Sequence, residues 1–243
     1  MREQRIAEAF VELADTLIED FDIAEFLGRL LHHSTELVGA SAAGVMLVDR
    51  AGRLQVAAAT SEHARLLELF QLQSEQGPCL ECFASGEIVT ATDLSTTRER
   101  WPRFSEAAMT LGYSSVHAVP LRMRTDVIGA FNLFGSPSDS IDDAKVRLAQ
   151  ALAHVATIGI LQERTTRQAH ELTDQLQRAL DSRVIIEQAK GKLAAWWGVD
   201  VDTAFTALRS YARNNRMRLT PLAHHVVDGT VDAALILKET RPG

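Results

Sequence analysis

Residues 183–199 read RVIIEQAKGKLAAWWGV. Ile186, Ala189, Leu193 and Trp196 recur three or four positions apart, the interval that stacks side chains on one face of a helix. Arg183, Glu187, Lys190 and Ala194 share a second face by the same spacing, and Lys192 lies off both stripes. The stretch therefore predicts a helix end with one apolar stripe for a core and a separate basic one. Gly198 can close that helix in the left-handed conformation. Asp200 or Asp202 then caps a second helix whose apolar face is Ala204, Phe205, Leu208, Tyr211 and Ala212. Thr220 before Pro221 pairs a good N-cap with a proline at the first helical position, opening a third helix with Leu222, Ala223, Val226 and Val227 inward. Three short helices with matching faces can share one small core, and the tail from Thr230 to Lys238 adds a further turn.

Working upstream, a single helix is predicted from Asp142 to Trp197, interrupted by no proline and only by Gly159 and Gly191. Leu148, Leu152 and Val155 carry an apolar seam that Leu172, Leu176 and Ala179 resume, with the polar QERTTRQAHE between them. The first half reads as core against a sheet. The second half, residues 163–180, has a thin seam and a wet back, the pattern of a coil that pairs with a copy of itself, so a homodimer is expected.

Before Pro137 the period changes. Ile6, Phe10, Leu13 and Leu17, then Ile23, Phe26, Leu27, Leu30 and Leu31, mark two helices. SAAGVMLVDRAGRLQVAAAT (41–60) is two apolar runs around Asp49-Arg50-Ala51-Gly52, a hairpin signal. EIVTATDL, YSSVHAVPLR and DVIGAFNLFG give three more strands, the last two joined through Met123-Arg124-Thr125-Asp126. Helices fall near Glu62–Phe70, Pro78–Ser85 and Arg100–Leu111. The mixed order predicts an α+β fold, an antiparallel sheet with helices on its faces.

Composition narrows the function. The 243 residues carry a formal charge of −7, which argues against a protein that coats nucleic acid without selectivity. From Arg183 to Arg218, however, seven bases face three acids, a local balance of +4 that leaves −11 for the remainder. The first residues hold acids throughout and no apolar signal core, and no run is of bilayer-spanning length, so a cytoplasmic protein with no membrane partner is expected. Two cysteines are too few for a disulfide scaffold.

SRVIIEQAKGKLAAWWGVDVDTAFTALRSYARNNRMRLTPLAHHVVDG (182–229) resembles an ANTAR domain, the RNA-binding antitermination module of bacterial regulators. The likeness covers roughly Leu176–Gly229 and rests on Ala189-Lys190-Gly191, Ala204-Phe205, Leu208, Ala212 and Leu222-Ala223 in the family's order. QGPCLECFASGEIV, SSVHAVPL and VIGAFNLFG resemble stretches of a GAF sensor domain, placed as in actinobacterial GAF–ANTAR proteins. The resemblance implies a GAF domain over 1–160, a coiled-coil linker over 161–180 and a three-helix ANTAR bundle over 176–236. It further implies a dimer that binds RNA hairpins, with a small-molecule ligand or other signal in the sensor.

The residues point the same way. Arg209 and Arg213 are four apart and opposite the apolar face, and Asn214, Arg216 and Arg218 follow in the loop. With Arg183, Lys190 and Lys192 they form the candidate RNA contacts: cations attract phosphates, and guanidinium and amide groups read exposed loop bases. The plainer alternative is a solvated charged face. DNA is the weaker fit, because the last helix, PLAHHVVD, offers no Lys or Arg and only His224 and His225 outward. For the sensor, Cys79, Trp101, Phe104, Tyr113 and His117 are candidate pocket residues, with core packing as the alternative for each. Cys79 follows Gly77-Pro78 at a helix start, where the dipole favours a thiolate, and Cys82 is three residues on, the spacing of a redox pair. His32, His33, His63 and His117 are too scattered for a metal site. The cyclic-nucleotide signature of some GAF domains is absent, as are nucleophile-elbow, phosphate-loop and kinase motifs, so a non-enzyme without cofactor is expected. The alternatives to RNA binding are a GAF-mediated dimerisation or protein-interaction module and a thiol redox sensor.

Overall fold

The computed structural model describes residues 2–17, 22–139 and 141–240, and the chain divides into two compact units, Met1–Thr166 and Arg167–Gly243. The first unit contains α1 (Arg2–Asp15), α2 (Ile23–Val38), β1 (Ala42–Val48), β2 (Leu54–Ala59), α3 (Glu62–Ser74), α4 (Pro78–Ser85), β3 (Val89–Ala91), a 3-10 turn at Leu94–Thr97, α5 (Pro102–Thr110), β4 (Ser115–Met123), β5 (Asp126–Gly135) and the start of α6 (Asp143–Trp197). The strands form one antiparallel sheet in the order β2-β1-β5-β4-β3. Both expected hairpins are present, closing at Val48 with Leu54 and at Met123 with Asp126.

Alternation along the strands splits the apolar residues between two faces. Val45, Phe131 and Leu133 join Phe26, Leu30 and Leu31 of α2 and Leu152 and Ala156 of α6 in one core. Met46, Val116 and Phe134 join Leu67 of α3, Cys79 and Cys82 of α4 and Phe104 of α5 in the other. Gly159 lets α6 come close: a Cβ there would lie 2.6 Å from Leu17 Cδ2 and 2.8 Å from Phe26 Cζ. An 18-residue window of α6 reaches a mean hydropathy of 1.2, a longer apolar run than the sequence pattern predicts. Its Ala149, Leu152, Ala153, Ala156 and Ile160 are buried in the first core, which explains the composition of a sheet-covering helix. The short β3 pairs only with Val116–Ala118, so Pro120 falls on an open edge, where a residue lacking N–H is tolerated.

The second unit holds the rest of α6 together with α7 (Val201–Asn214), α8 (Leu219–Asp228) and α9 (Ala233–Thr240). Its core is Ala189, Leu193, Ala204, Leu208, Ala212, Leu222, Ala223, Val226 and Ile236. Gly198 ends α6 with φ +65, and Asp200 caps α7 by accepting the Thr203 N–H at 2.8 Å. The expected cap at Thr220 is corrected: α8 begins at Leu219 with Arg218 at its N-cap, and the Thr220 hydroxyl bonds that of Ser182 at 2.6 Å instead. Pro221 still sits within the first turn, where backbone N–H groups have no intrahelical partner. In the portion of α6 entering this unit, Leu172, Leu176 and Leu180 are each 57% exposed and Val184 continues their stripe at four-residue spacing.

Candidate nucleic-acid interface and sensor core

Phe205, expected on the apolar face, is half-buried and outside the core of the second unit, and Arg209 and Arg213 follow it at i+4 and i+8 on α7 as a single stripe beside that face rather than opposite it. Lys190 reaches this stripe from α6, its ammonium 5.0 Å from the centroid of the Phe205 ring. Lys190 is already engaged, pairing with Glu187 at 2.8 Å and leaving only 13% of its side chain exposed. Arg183, two turns earlier, is exposed, as are Arg209, Arg213, Asn214, Arg216 and Arg218. Among the described residues none of these five guanidiniums has an ion pair. Arg216 adopts φ +54 in the turn between α7 and α8, an unusual conformation for a side chain of its size.

Lys192 lies elsewhere. It donates to the Val227 carbonyl at 2.7 Å, near the end of α8, and sits 4.7 Å above the Trp196 ring. At 100° per residue, Lys192 and Lys190 project from nearly opposite flanks of the α6 core stripe. The structure thus gathers Arg183, Lys190, Arg209 and Arg213 around α6 and α7 and sets Lys192 apart. Trp196 does not enter the core as its spacing predicts but is 50% exposed, because it lies on the rim of the stripe and Trp197 turns inward in its place. Among the described residues the buried Trp197 Nε1 has no hydrogen-bond partner.

In the first unit, Cys79, Trp101, Phe104 and Tyr113 share the layer between the sheet and α3–α5. Trp101 meets Phe104 edge-on at 6.0 Å, and Tyr113 packs 5.2 Å from Phe134. His117 is not with them: it stands between Val116 and Ala118 on β4, so it points to the opposite face, where its Nδ1 is 3.3 Å from the Thr90 hydroxyl. Burial holds its imidazole below the ordinary value.

A buried polar cluster, absent from the sequence-predicted sites, occupies the same layer. Asn132 Nδ2 donates to both Glu68 carboxyl oxygens at 2.9 Å, and Gln71 Nε2 donates to one of them at 2.8 Å. Gln71 Oε1 in turn accepts the Cys79 backbone N–H at 2.9 Å, tying α3 to α4 and to β5. Asn132 Oδ1 is buried and has no hydrogen-bond partner among the described residues. Gly44, opposite Asn132 in the ladder, leaves the room the carboxyl needs, since a Cβ there would lie 2.5 Å from Glu68 Oε1. Burial pushes the Glu68 carboxyl up to about 8, against donated hydrogen bonds that lower it. Burial, then the neighbouring Glu68, pushes the Cys79 thiol well above its usual value, and burial takes Cys82 to about 12. The thiolate expected from a helix start is therefore opposed, because desolvation outweighs the dipole here. A signal for the cluster did exist: Ala64, Leu67, Glu68 and Gln71 sit at i, i+3, i+4 and i+7, so the acid and the amide lie on the buried face of α3. Among the described residues no three His, Cys, Asp or Glu side chains are grouped to hold a metal ion.

A family profile described as GAF domain matches residues 22–161, and one described as ANTAR domain matches residues 174–227. Among solved structures, the chain is similar to the GAF domain of the Acinetobacter phosphoenolpyruvate-protein phosphotransferase, with a TM-score of 0.53 and 13% identity over 68% of this chain and 95% of that one. It is equally similar to the GAF domain of the phosphoenolpyruvate-protein phosphotransferase from Coxiella burnetii, with a TM-score of 0.53 and 13% identity over 68% of this chain and 98% of that one. The free methionine-R-sulfoxide reductase of Neisseria meningitidis, in complex with its substrate, matches with a TM-score of 0.52 and 19% identity over 68% of this chain and 91% of that one. At such identities the likeness speaks for the fold alone. No curated protein matches the chain.

Proposed function

Because the chain belongs to the GAF-domain family and carries an ANTAR domain, we propose that it is a signal-responsive regulator that binds RNA hairpins and alters transcription termination. GAF domains are signal-sensing, ANTAR domains bind RNA in antitermination, and both are regulatory modules. The observation that carries the reading is the exposed arginine set, Arg183, Arg209, Arg213, Arg216 and Arg218, unpaired among the described residues, in a chain of net charge −7. Cations left without carboxylates in an acidic protein hold potential for an external polyanion, and phosphates are the match for a guanidinium fork.

In this reading α7 lies along the RNA backbone, and Asn214 and Arg216 at its end reach unpaired loop bases. Lys190 is a secondary contact, since it must leave Glu187 to engage RNA, and Lys192 contributes little because it is held on the Val227 carbonyl. Leu172, Leu176, Leu180 and Val184 provide the seam on which two copies pair, setting two basic stripes to engage paired hairpins in the cytoplasm. A signal received by the first unit acts by favouring one of two arrangements that differ in RNA affinity, since only differential binding shifts an equilibrium.

The test is fluorescence anisotropy with a labelled hairpin at several salt concentrations, comparing wild type with the R209A/R213A double variant. Affinity should fall about tenfold or more, and the slope of log affinity against log salt should shrink by roughly 0.7–0.9 for each phosphate that is no longer neutralised. Unchanged affinity and slope would remove α7 from the interface.

A further inference from the structure

A cavity of about 760 Å³ opens beside the β4–β5 hairpin of the first unit. Arg122 and Arg124 line it from the hairpin, Arg147, Gln150 and His154 from α6, and Phe10 from α1. Among the described residues no acid lines it, although residues 1–166 hold 23 acids against 14 bases. Arg147, Gln150 and His154 stand at i, i+3 and i+7, one face of the helix, so three polar groups are presented together on a rigid element.

The guanidiniums are prepared in different ways. Arg122 is oriented by donating Nη1 to the Gly86 carbonyl at 3.1 Å, with a Glu87 oxygen 3.6 Å away, which leaves its remaining donors free. The side chains of Arg124 and Arg147 have no hydrogen bond or ion pair among the described residues. Arg124 also opens a two-residue turn at φ +55, a conformation that glycine or asparagine adopts with less strain. Strain held at one residue of a charged cavity points to a task for that residue's side chain. Arg124 and Arg147, without a counter-ion among the described residues, add like charge to one void, and an entering anion relieves it.

We propose that this cavity is a binding site for a small organic anion: a compact oxyanion head of charge −2 or more, on a body apolar enough to rest against Phe10. Phosphate and carboxylate heads share this chemistry, and both match the arginine fork. Arg147, Gln150 and His154 belong to the same continuous helix, α6, that carries Arg183 and Lys190. Occupancy therefore acts on the element that leads to the basic stripe. That consequence rests on the first unit being the sensor of the proposed regulator, whereas anion binding itself does not.

The test is calorimetric titration of the full chain at low salt with phenyl phosphate, phthalate and inorganic phosphate. Saturable binding of phenyl phosphate or phthalate, tighter than inorganic phosphate, is expected, and the better of the two identifies the head. R147A and R124N should each weaken that binding about tenfold or more, as removal of one charge-assisted hydrogen bond implies. R124N relieves the turn, so its melting temperature should hold or rise while affinity falls, the opposite of a folding defect. R98A, an exposed arginine outside the cavity, should leave affinity unchanged. No saturable binding of any probe, retention of binding in both R147A and R124N, or an equal weakening in R98A would each overturn the site. Hairpin anisotropy with and without the tighter probe then addresses the coupling separately, so failure of RNA binding leaves the anion result standing.

Discussion

Glu68 holds a carboxyl that water does not reach, and its proton links fold to pH. Its ordinary value is 4.5 and its value in the folded chain is about 8, so the folded state keeps a proton that the unfolded state releases. Below about 4.5 both states are protonated and stability is at its full value. As pH rises from about 4.5 to about 8 the unfolded state gains by ionising, and stability falls until the folded state ionises too. Urea midpoints measured across this window should decline for wild type and flatten for Glu68→Gln, and a wild-type midpoint that stays level would contradict the buried neutral acid. The two cysteines give a second prediction at this scale. With both thiols pushed upward and buried, native protein at neutral pH should react with a thiol reagent only as fast as it opens, and Cys79→Ser should leave any effect of oxidant on hairpin affinity unaltered. Periodicity could place Cys79 at a helix start but not decide between dipole and desolvation, because that depends on what α3 and β5 bring to it.

At the scale of the element, α6 contains two glycines that look alike in sequence. Gly159 sits against Leu17 and Phe26, whereas a Cβ on Gly191 would meet nothing within 4 Å. Gly159→Ala should therefore destabilise the first unit by about 1–3 kcal/mol through overpacking. Gly191→Ala should raise stability by roughly 0.5–1 kcal/mol through helix propensity and a less free unfolded chain. Thermal melts of the two variants should move in opposite directions. Leu176→Glu, on a residue already 57% exposed, should leave the fold intact and abolish dimerisation seen by light scattering. Helix positions were largely legible here: α4 is Pro78–Ser85 as its pattern predicts, and α6 starts one residue after the expected Asp142. Apolar spacing of 3.6 is a local property, so it marks a helix even where packing moves a residue such as Trp196 out of the core. The start of α8 was less legible, because Thr220 had a rival partner in Ser182, 38 positions away, that no local rule contains.

For the whole molecule, the fold class and the antiparallel sheet could be read from strand-like runs and hairpin turns, and the two family matches agree with the ANTAR resemblance of residues 182–229 and with the GAF resemblance of QGPCLECFASGEIV, SSVHAVPL and VIGAFNLFG. The proposed interface was legible as composition but not as geometry. Seven cations between Arg183 and Arg218 count alike in sequence, whereas folding ties Lys192 to α8, pairs Lys190 with Glu187 and leaves the arginines out. The layer expected to hold the sensor pocket was less legible still, since His117 and Tyr113 lie four residues apart yet serve opposite faces of the sheet.

The three tryptophans are distributed usefully between the units: Trp101 is 3% exposed in the first, while Trp196 is half exposed and Trp197 partly buried in the second. A soluble collisional quencher such as iodide should extinguish the emission of Trp196 while sparing that of Trp101. The chain thus contains its own optical probe, since the quenchable part of the steady-state emission follows the second unit without attaching a dye.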